Sequence, residues 1–287
     1  MTHPPLSPTG ADRVAHVTRI RHTPNFPPRS RPHAGRGAFD VTGQPFQLLD
    51  LFSGIGGFSL GLERSGGFKT VAFCEIEPFC RRVLAKHWPE VPCYNDIRLL
   101  TAERLAADGI TVDAICGGFP CQDVSVAGRR VGIGGGRSGL WFEYARLIGE
   151  LRPRFVIVEN TPGLLDRGMG DVLGSLASLG YDAEWQSISA ARVGLRQPRD
   201  RVWIIAYRDG ERLQGRFTER AILGIEALPP ATVRNALPAA FVTHGSDGLP
   251  RQVVRTAHAS KALGNAVVPQ IPELIGRAIL GAIARAA

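Results

Sequence analysis

From residue 46 onward, short runs of apolar and β-branched residues alternate with segments whose apolar positions recur every three or four residues. The first kind of run is typical of strands, and the second is typical of helices packed on one face. The predicted strands are Gln47–Phe52, Thr70–Cys74, Thr111–Cys116, Phe155–Glu159 and Arg201–Ala206. The predicted helices lie around residues 57–65, 77–87, 140–151 and 170–179. This alternation predicts an α/β fold with a doubly wound, Rossmann-like sheet of parallel strands.

The pattern changes at both ends of the chain. Residues 1–45 hold eight of the 21 prolines and six arginines against two aspartates, without apolar periodicity. We therefore predict a disordered basic arm there, with contact to a phosphate backbone as the alternative. Residues 208–258 are rich in Pro and Gly and predict a small, irregular insert. A last helix is predicted from about Pro272 to Arg285.

The composition limits the class of protein. The formal net charge is +8 and the sequence pI is near 9.8, which is compatible with a polyanionic partner such as nucleic acid. No uncharged apolar run approaches the roughly 18 residues of a membrane-spanning helix, and no apolar segment of the secretion-signal type follows Met1. The five cysteines form an odd set in which Cys116 and Cys121 have no second ligand pair. We therefore expect reduced thiols in a cytoplasm, and no metal.

The first predicted strand runs into a glycine-rich turn, Ser53-Gly54-Ile55-Gly56-Gly57, which opens the first helix. Glycine lets the backbone approach a nucleotide closely, and a carboxylate about 20 residues later, here Glu75, can hold ribose hydroxyls. The glycine spacing differs from the dinucleotide pattern GxGxxG. An adenosine cofactor, a nicotinamide dinucleotide and a purely structural turn all stay open at this point.

Two later segments carry reactive side chains to the carboxyl edge of the predicted sheet, where α/β folds bind ligands. GGFPCQ at 117–122 places Cys121 on a loop after one strand, and EN at 159–160 ends the next strand. Two further blocks follow in the chain. QPRDR at 197–201 leads into the strand Arg201–Ala206, and ALGNAVVP at 262–269 precedes the last helix.

These blocks, together with DLFSGIGGFSLGLE at 50–63, occur in the order of the cytosine-5 DNA methyltransferase family, which the chain resembles. The resemblance covers about residues 46–207 and 259–287. It implies an S-adenosylmethionine-dependent methyltransferase sheet in these two segments, with 208–258 as a short target-recognition region. The implied reaction is transfer of a methyl group from S-adenosylmethionine to carbon 5 of a cytosine flipped out of double-stranded DNA.

The resemblance gives four side chains a part in this reaction. Cys121 adds to carbon 6 of the base, and this covalent step makes carbon 5 nucleophilic enough for methyl transfer. Glu159 contacts ring N3 and the exocyclic amine, whereas Arg201 holds the O2 oxygen. Arg199 supports this loop or contacts the site.

The resemblance also implies a cofactor pocket in which Glu75 takes the ribose, Ile76 the adenine face, and Asp96 with Ile97 the adenine edge. As alternatives, Ile76, Ile97 and Leu140 are plain core, and Glu75 is a solvated carboxylate at a helix start. The implied cofactor residues are Phe52, Ser53, Gly54, Ile55, Gly56, Glu75, Ile76, Asp96, Ile97, Pro120, Leu140, Asn265 and Ala266.

The Gly- and Arg-rich residues 126–139 are implied to close over the DNA, with a surface loop without function as the alternative. The implied DNA contacts are Gln122, Ser125, Arg129, Arg130, Arg137 and Gln197. The recognition region 208–258 is short, which predicts a short or relaxed target sequence. A paired restriction endonuclease is a further candidate partner, and a monomer is the favoured state.

Other functions stay open at this point. One is a tRNA cytosine-5 methyltransferase of the same fold, and another is a DNA-binding relative with weakened catalysis. A nicotinamide dehydrogenase is the rival at the level of the fold alone.

Overall fold

The computed structural model describes residues 44–120, 139–195, 199–208, 211, 213, 215–223, 262 and 264–286. Within these residues the chain forms a seven-stranded sheet with helices on both faces. The strands are β1 (Phe46–Leu51), β2 (Phe68–Cys74), β3 (Cys93–Tyr94), β4 (Ala114–Gly117), β5 (Phe155–Asn160), β6 (Tyr181–Ser189) and β7 (Asp200–Arg208). The helices are α1 (Gly57–Arg64), α2 (Pro78–His87), α3 (Ala102–Ala107), α4 (Gly139–Leu151), α5 (Leu164–Arg167), α6 (Met169–Ser178), α7 (Glu219–Leu223) and α8 (Gln270–Ala286), with a 3₁₀ turn at Ala190–Val193.

The strand order β3-β2-β1-β4-β5-β7-β6 confirms the predicted doubly wound α/β sheet. Strands β1 to β5 pair in parallel, and the chain winds outward from β1 in one direction and from β4 in the other. At such a reversal the loops after neighbouring strands diverge and leave a crevice at the carboxyl edge. We call this edge of the sheet the ligand edge.

The prediction of parallel strands is wrong for β7, which pairs antiparallel with both β5 and β6. The sequence pattern does not predict β6, because its run YDAEWQSIS is polar at most positions. The link between β6 and β7 spans only about ten residues, which is too short for the helical crossover that a parallel pair needs. As a consequence, the amino end of β7 lies at the ligand edge, where Val202 faces Asn160 of β5.

Two apolar cores cover the two faces of the sheet, because successive residues of each strand point to opposite sides. In β1, Leu49 and Leu51 belong to the cluster that includes the apolar stripe of α4. Leu48 belongs to the second cluster, which includes Phe58 of α1 and Ile275 of α8. None of the helices formed by the described residues is long and apolar enough to cross a bilayer.

The stretch after β7 begins on the second core. Phe217 is fully buried there, together with Leu213 and Ile222. The buried Glu184 carboxylate accepts hydrogen bonds from the Tyr207 hydroxyl (3.0 Å) and from the backbone N–H groups of Gly215 (2.8 Å) and Phe217 (3.2 Å). The first part of the predicted recognition region therefore packs on the sheet. Residues 224–258 and residues 1–43 of the predicted arm lie outside the described residues.

Candidate active site

The turn between β1 and α1 has an unusual backbone. Phe52, Gly54 and Gly56 all have positive φ angles, of 52°, 55° and 86°. A Cβ on Gly56 would lie 2.6 Å from the Trp88 ring, so no side chain fits at this position. The Ser53 hydroxyl donates a hydrogen bond to the Asp50 carbonyl (2.6 Å), which joins the turn to the end of β1. The turn therefore requires glycine at position 56.

Glu75 joins this turn to the end of β2. Its Oε2 accepts a hydrogen bond from the Gly54 N–H (2.7 Å), and its Oε1 accepts one from the Glu77 N–H (2.7 Å). The residue is only 9% exposed, so its carboxylate is not a freely solvated group at a helix start. The structure thus has Glu75, the residue predicted to hold the ribose, in direct contact with the predicted cofactor turn.

The predicted adenine contacts differ in their surroundings. Ile76 is 65% exposed and is available to a flat ring, whereas Ile97 is buried in the α4 core. Leu140 is partly buried against the same core, and the Phe52 ring stacks on that of Tyr144 with centroids 6.3 Å apart. The side chain of Ile97 is thus part of the core, as in the alternative interpretation, whereas that of Ile76 is not.

Asp96 is engaged by its neighbour Arg98. The Arg98 guanidinium donates to both carboxylate oxygens, and its Nη2 lies 2.6 Å from Oδ2. These hydrogen bonds hold the pKa of Asp96 below its ordinary value. The Arg98 side chain is itself largely exposed.

Glu159 and Arg201 form an ion pair at the ligand edge. The Arg201 Nε lies 2.7 Å from Glu159 Oε1, and the two side chains are 12% (Glu159) and 21% (Arg201) exposed. Burial raises the pKa of Glu159, and the positive charges of Arg201 and Arg199 offset part of this rise. The carboxyl group therefore keeps its proton to a higher pH than an exposed glutamate.

The root of the predicted cysteine loop lies against this ion pair. A Cβ on Gly118 would lie 2.7 Å from Glu159 Oε2, so the loop passes the carboxylate in close contact. The buried Asn160 side chain donates a hydrogen bond from Nδ2 to the Phe119 carbonyl (3.0 Å). Pro120 is the last described residue before the predicted nucleophile.

A small cleft lies beside the ion pair. Ala266 lines it, and the neighbouring Val267 carbonyl lies so close to Gly57 at the start of α1 that no Cβ fits there. The block before α8 therefore meets both the glycine turn and Glu159, whereas Asn265 is exposed. The lining residues are Glu159, Ala190, Arg199, Arg201, Trp203, Ala266, Val267, Val268 and Ile271.

Several predicted site residues lie outside the described residues. They include the predicted nucleophile and every predicted DNA contact, namely Cys121, Gln122, Ser125, Arg129, Arg130, Arg137 and Gln197.

Three residues of this site, Gly118, Asn160 and Trp203, were not among the predicted site residues. Gly118 and Asn160 belong to the motifs GGFPCQ and EN, and their position at the strand ends could have indicated a place in the site. Trp203 lines the cleft from β7, and nothing in its local sequence separates it from an ordinary core residue.

Comparison with protein families gives a match over most of this region. The family model described as C-5 cytosine-specific DNA methylase matches residues 46–237. The match spans β1 to β7 and includes the glycine turn, Glu75, Glu159 and Arg201.

Curated proteins match over part of their length. The type II methyltransferase M2.BsuMI of Bacillus subtilis is 38% identical over 168 residues, which are 56% of this chain and 41% of that protein. M.DsaV of Dactylococcopsis salina is 34% identical over 57% of this chain and 46% of its own. M.NlaIV of Neisseria lactamica is 30% identical over 71% of this chain and 49% of its own. The matches thus cover about half the length of these curated relatives.

Solved structures share the fold. A putative DNA modification methyltransferase encoded in an Escherichia coli prophage superposes with a TM-score of 0.60 at 18% identity, over 82% of this chain and 99% of that one. A DNMT2 mutant of Spodoptera frugiperda gives a TM-score of 0.51 at 21% identity, over 61% and 53% of the two chains.

Proposed function

Because the chain belongs to the C-5 cytosine-specific DNA methylase family, we propose that it transfers the methyl group of S-adenosylmethionine to carbon 5 of a cytosine in DNA. The observation that carries the proposal is the cleft where the Glu159–Arg201 pair meets the root of the cysteine loop. The acid and the cation are two of the groups that this reaction requires, and in this proposal Cys121, the residue after Pro120, supplies the thiol.

The glycine turn fits the proposed cofactor, which supplies an electrophilic methyl group on a positively charged sulfur. Each oxygen of Glu75 receives one backbone N–H, and a carboxylate oxygen has a further acceptor position for a ribose hydroxyl. The exposed Ile76 offers an apolar surface to the adenine ring. We assign to this pocket Phe52, Ser53, Gly54, Ile55, Gly56, Glu75, Ile76, Asp96, Ile97, Pro120, Leu140, Asn265 and Ala266.

In the proposed mechanism the Cys121 thiolate forms a bond from Sγ to carbon 6 of the cytosine. The electron pair of the 5,6 double bond makes carbon 5 nucleophilic, and carbon 5 takes the methyl group as the donor sulfur keeps the bonding electrons. Water then removes the proton from carbon 5, the bond to Sγ breaks, and the double bond forms again.

Glu159 and Arg201 stabilise the charge that develops on the base. The raised pKa of Glu159 increases its protonated fraction at neutral pH, so that the carboxyl group can donate a hydrogen bond to ring N3. Arg201, held 2.7 Å from the same carboxyl group, faces the O2 oxygen, and Arg199 adds positive charge. The ion pair thus orients both groups before the base enters.

The substrate in this proposal is double-stranded DNA with the target cytosine flipped out of the helix, because carbon 6 is otherwise inside the base stack. We assign DNA contact to Gln122, Ser125, Arg129, Arg130, Arg137 and Gln197. Arginine side chains next to the catalytic loop supply the phosphate contacts that duplex binding needs.

We divide the chain into a basic arm, a catalytic domain and a recognition region. The proposed recognition region is 208–258, and its first part packs on the sheet through the buried Phe217 and Ile222. A region this short favours a short or relaxed target sequence. Mapping of methylated cytosines after expression in a methylation-free host tests this, and a long, strictly obeyed target would contradict it.

The relatives named type II methyltransferases suggest the biological setting. We propose that the chain acts in the cytoplasm, in a restriction-modification system with a cognate endonuclease. Among the described residues, Cys74, Cys80, Cys93 and Cys116 are free cysteines.

The direct test is methyl transfer from tritiated S-adenosylmethionine to duplex DNA and, separately, to tRNA. We expect label on DNA, and no label with Cys121→Ala although this variant binds the cofactor normally. Label on tRNA alone would favour the RNA-modifying alternative. Turnover by the alanine variant would contradict the covalent mechanism, and DNA binding without turnover would favour the weakened relative.

A further inference from the structure

The side chain of Arg146 in α4 holds a loop of the ligand edge as well as its own helix. Its Nη2 donates hydrogen bonds to the carbonyl oxygens of Ile97 (3.0 Å) and Leu100 (2.9 Å). Its Nε and Nη1 donate to the carboxylates of Glu143 (2.7 Å) and Glu150 (2.6 Å). All three guanidinium nitrogens therefore donate hydrogen bonds, and the side chain is only 31% exposed.

The same network holds the far end of this loop. Oε2 of Glu150 accepts a hydrogen bond from the backbone N–H of Ala102, the first residue of α3 (3.0 Å). Arg146 and Glu150 thus fasten residues 97–102 to α4 at three backbone groups. Asp96 stands directly before this fastened segment.

These contacts differ from an ordinary ion pair on a helix surface. Arg277 and Glu273 of α8 form such a pair, at 2.5 Å, with the arginine 60% exposed. Exposed pairs of this kind contribute little to stability. Arg146 instead satisfies two carbonyls that belong to another segment of the chain. Lysine cannot reproduce this arrangement, because an ammonium group lacks the planar fork of donors.

We propose that Arg146 is a positioning residue for the adenine end of the cofactor site. The inference rests on the proposed function, in which Asp96 lies at the adenine edge; a carboxylate there can accept a hydrogen bond from the 6-amino group. The carboxylate meets that amine only while the loop behind it stays fixed to α4. Loss of the guanidinium therefore weakens recognition of the amino group more than it weakens binding of the rest of the cofactor.

The test compares two ligands that differ at this group, with the affinity of the full chain measured by calorimetry. S-adenosylhomocysteine carries the amino donor, whereas S-inosylhomocysteine carries an oxygen acceptor in its place. We expect the wild-type protein to prefer the first by about tenfold or more, because a carboxylate facing an oxygen is left unpaired. Arg146→Met should remove most of this preference, Arg146→Lys should reduce it, and the matched control Arg277→Met should keep it.

The lysine variant retains the charge and keeps the test usable if the methionine variant does not fold, which circular dichroism checks. An unchanged preference in the folded Arg146 variants would overturn the inference and leave the proposed methyltransferase function standing. A wild-type protein that binds neither ligand would overturn the proposed function itself, and the inference with it.

Discussion

The close approach of Gly118 to Glu159 yields a sharp prediction about catalysis. In Gly118→Ala the new Cβ would stand 2.7 Å from Glu159 Oε2, whereas ordinary contact begins at 3.4 Å. The carboxyl group must therefore move by about 0.7 Å, and it cannot move freely because Arg201 holds its other oxygen at 2.7 Å. Since a misplacement of about 1 Å can cost about a hundredfold in rate, we expect a loss of about ten- to hundredfold. This corresponds to about 1 to 3 kcal/mol of activation free energy.

Single-turnover methyl transfer at saturating DNA and cofactor measures this loss, with cofactor affinity recorded in parallel. The matched control is Gly174→Ala in α6, where a Cβ would meet nothing within 4 Å. This control should keep the wild-type rate and gain stability, by up to about 1 kcal/mol, because alanine favours a helix. A folded Gly118→Ala protein with the wild-type rate would refute the assignment of Glu159 to the reacting base.

Three further predictions concern the cofactor turn, the core and the DNA contacts. Glu75→Ala should weaken binding of S-adenosylmethionine, because both the Gly54 N–H and the ribose lose the carboxylate as their acceptor. Unchanged affinity in calorimetry would exclude Glu75 from the pocket. Burial raises the pKa of Asp50 from 3.8 to about 7, so the folded wild-type protein binds a proton that the unfolded chain releases. The stability of the wild-type protein relative to Asp50→Asn should therefore fall, by at most about 4 kcal/mol, as pH rises from about 4 to about 7, and level off above; parallel pH curves of unfolding free energy would contradict this. Replacing Arg129 and Arg130 by alanine should reduce the slope of log affinity against log salt by about 0.9 for each phosphate that is no longer neutralised, and an unchanged slope would remove them from the interface.

The periodicity of the sequence was sufficient to predict the alternating strands and helices and the buried stripe of α4. It was not sufficient to predict the direction of β7, because strand pairing depends on partners far away in the sequence. The direction matters for function. The block QPRDR ends in the first two residues of β7, and in a parallel strand Arg201 would lie at the edge opposite Glu159. The short link between β6 and β7 was the available signal for the antiparallel pairing.

The candidate site likewise has some contacts that the sequence predicts and others that it does not. The motifs predict that Glu75 lies at the glycine turn and that Glu159 and Arg201 share a pocket, and the described residues have both arrangements. No motif predicts that Arg98 engages Asp96 or that Arg146 holds the carbonyl of Ile97, 49 residues away. Side chains that hold a loop act through its backbone, and backbone acceptors leave no pattern in the sequence.

The proposed addition of Cys121 to carbon 6 of a cytosine in DNA can be measured directly. Duplex DNA that contains 5-fluorocytosine should trap the wild-type protein, because fluorine cannot leave carbon 5 as a proton does. We expect a complex that survives denaturing electrophoresis, requires S-adenosylmethionine, and carries the base on the peptide containing Cys121 in mass spectrometry. Binding of this DNA without any adduct, or an adduct on another residue, would contradict covalent catalysis by Cys121.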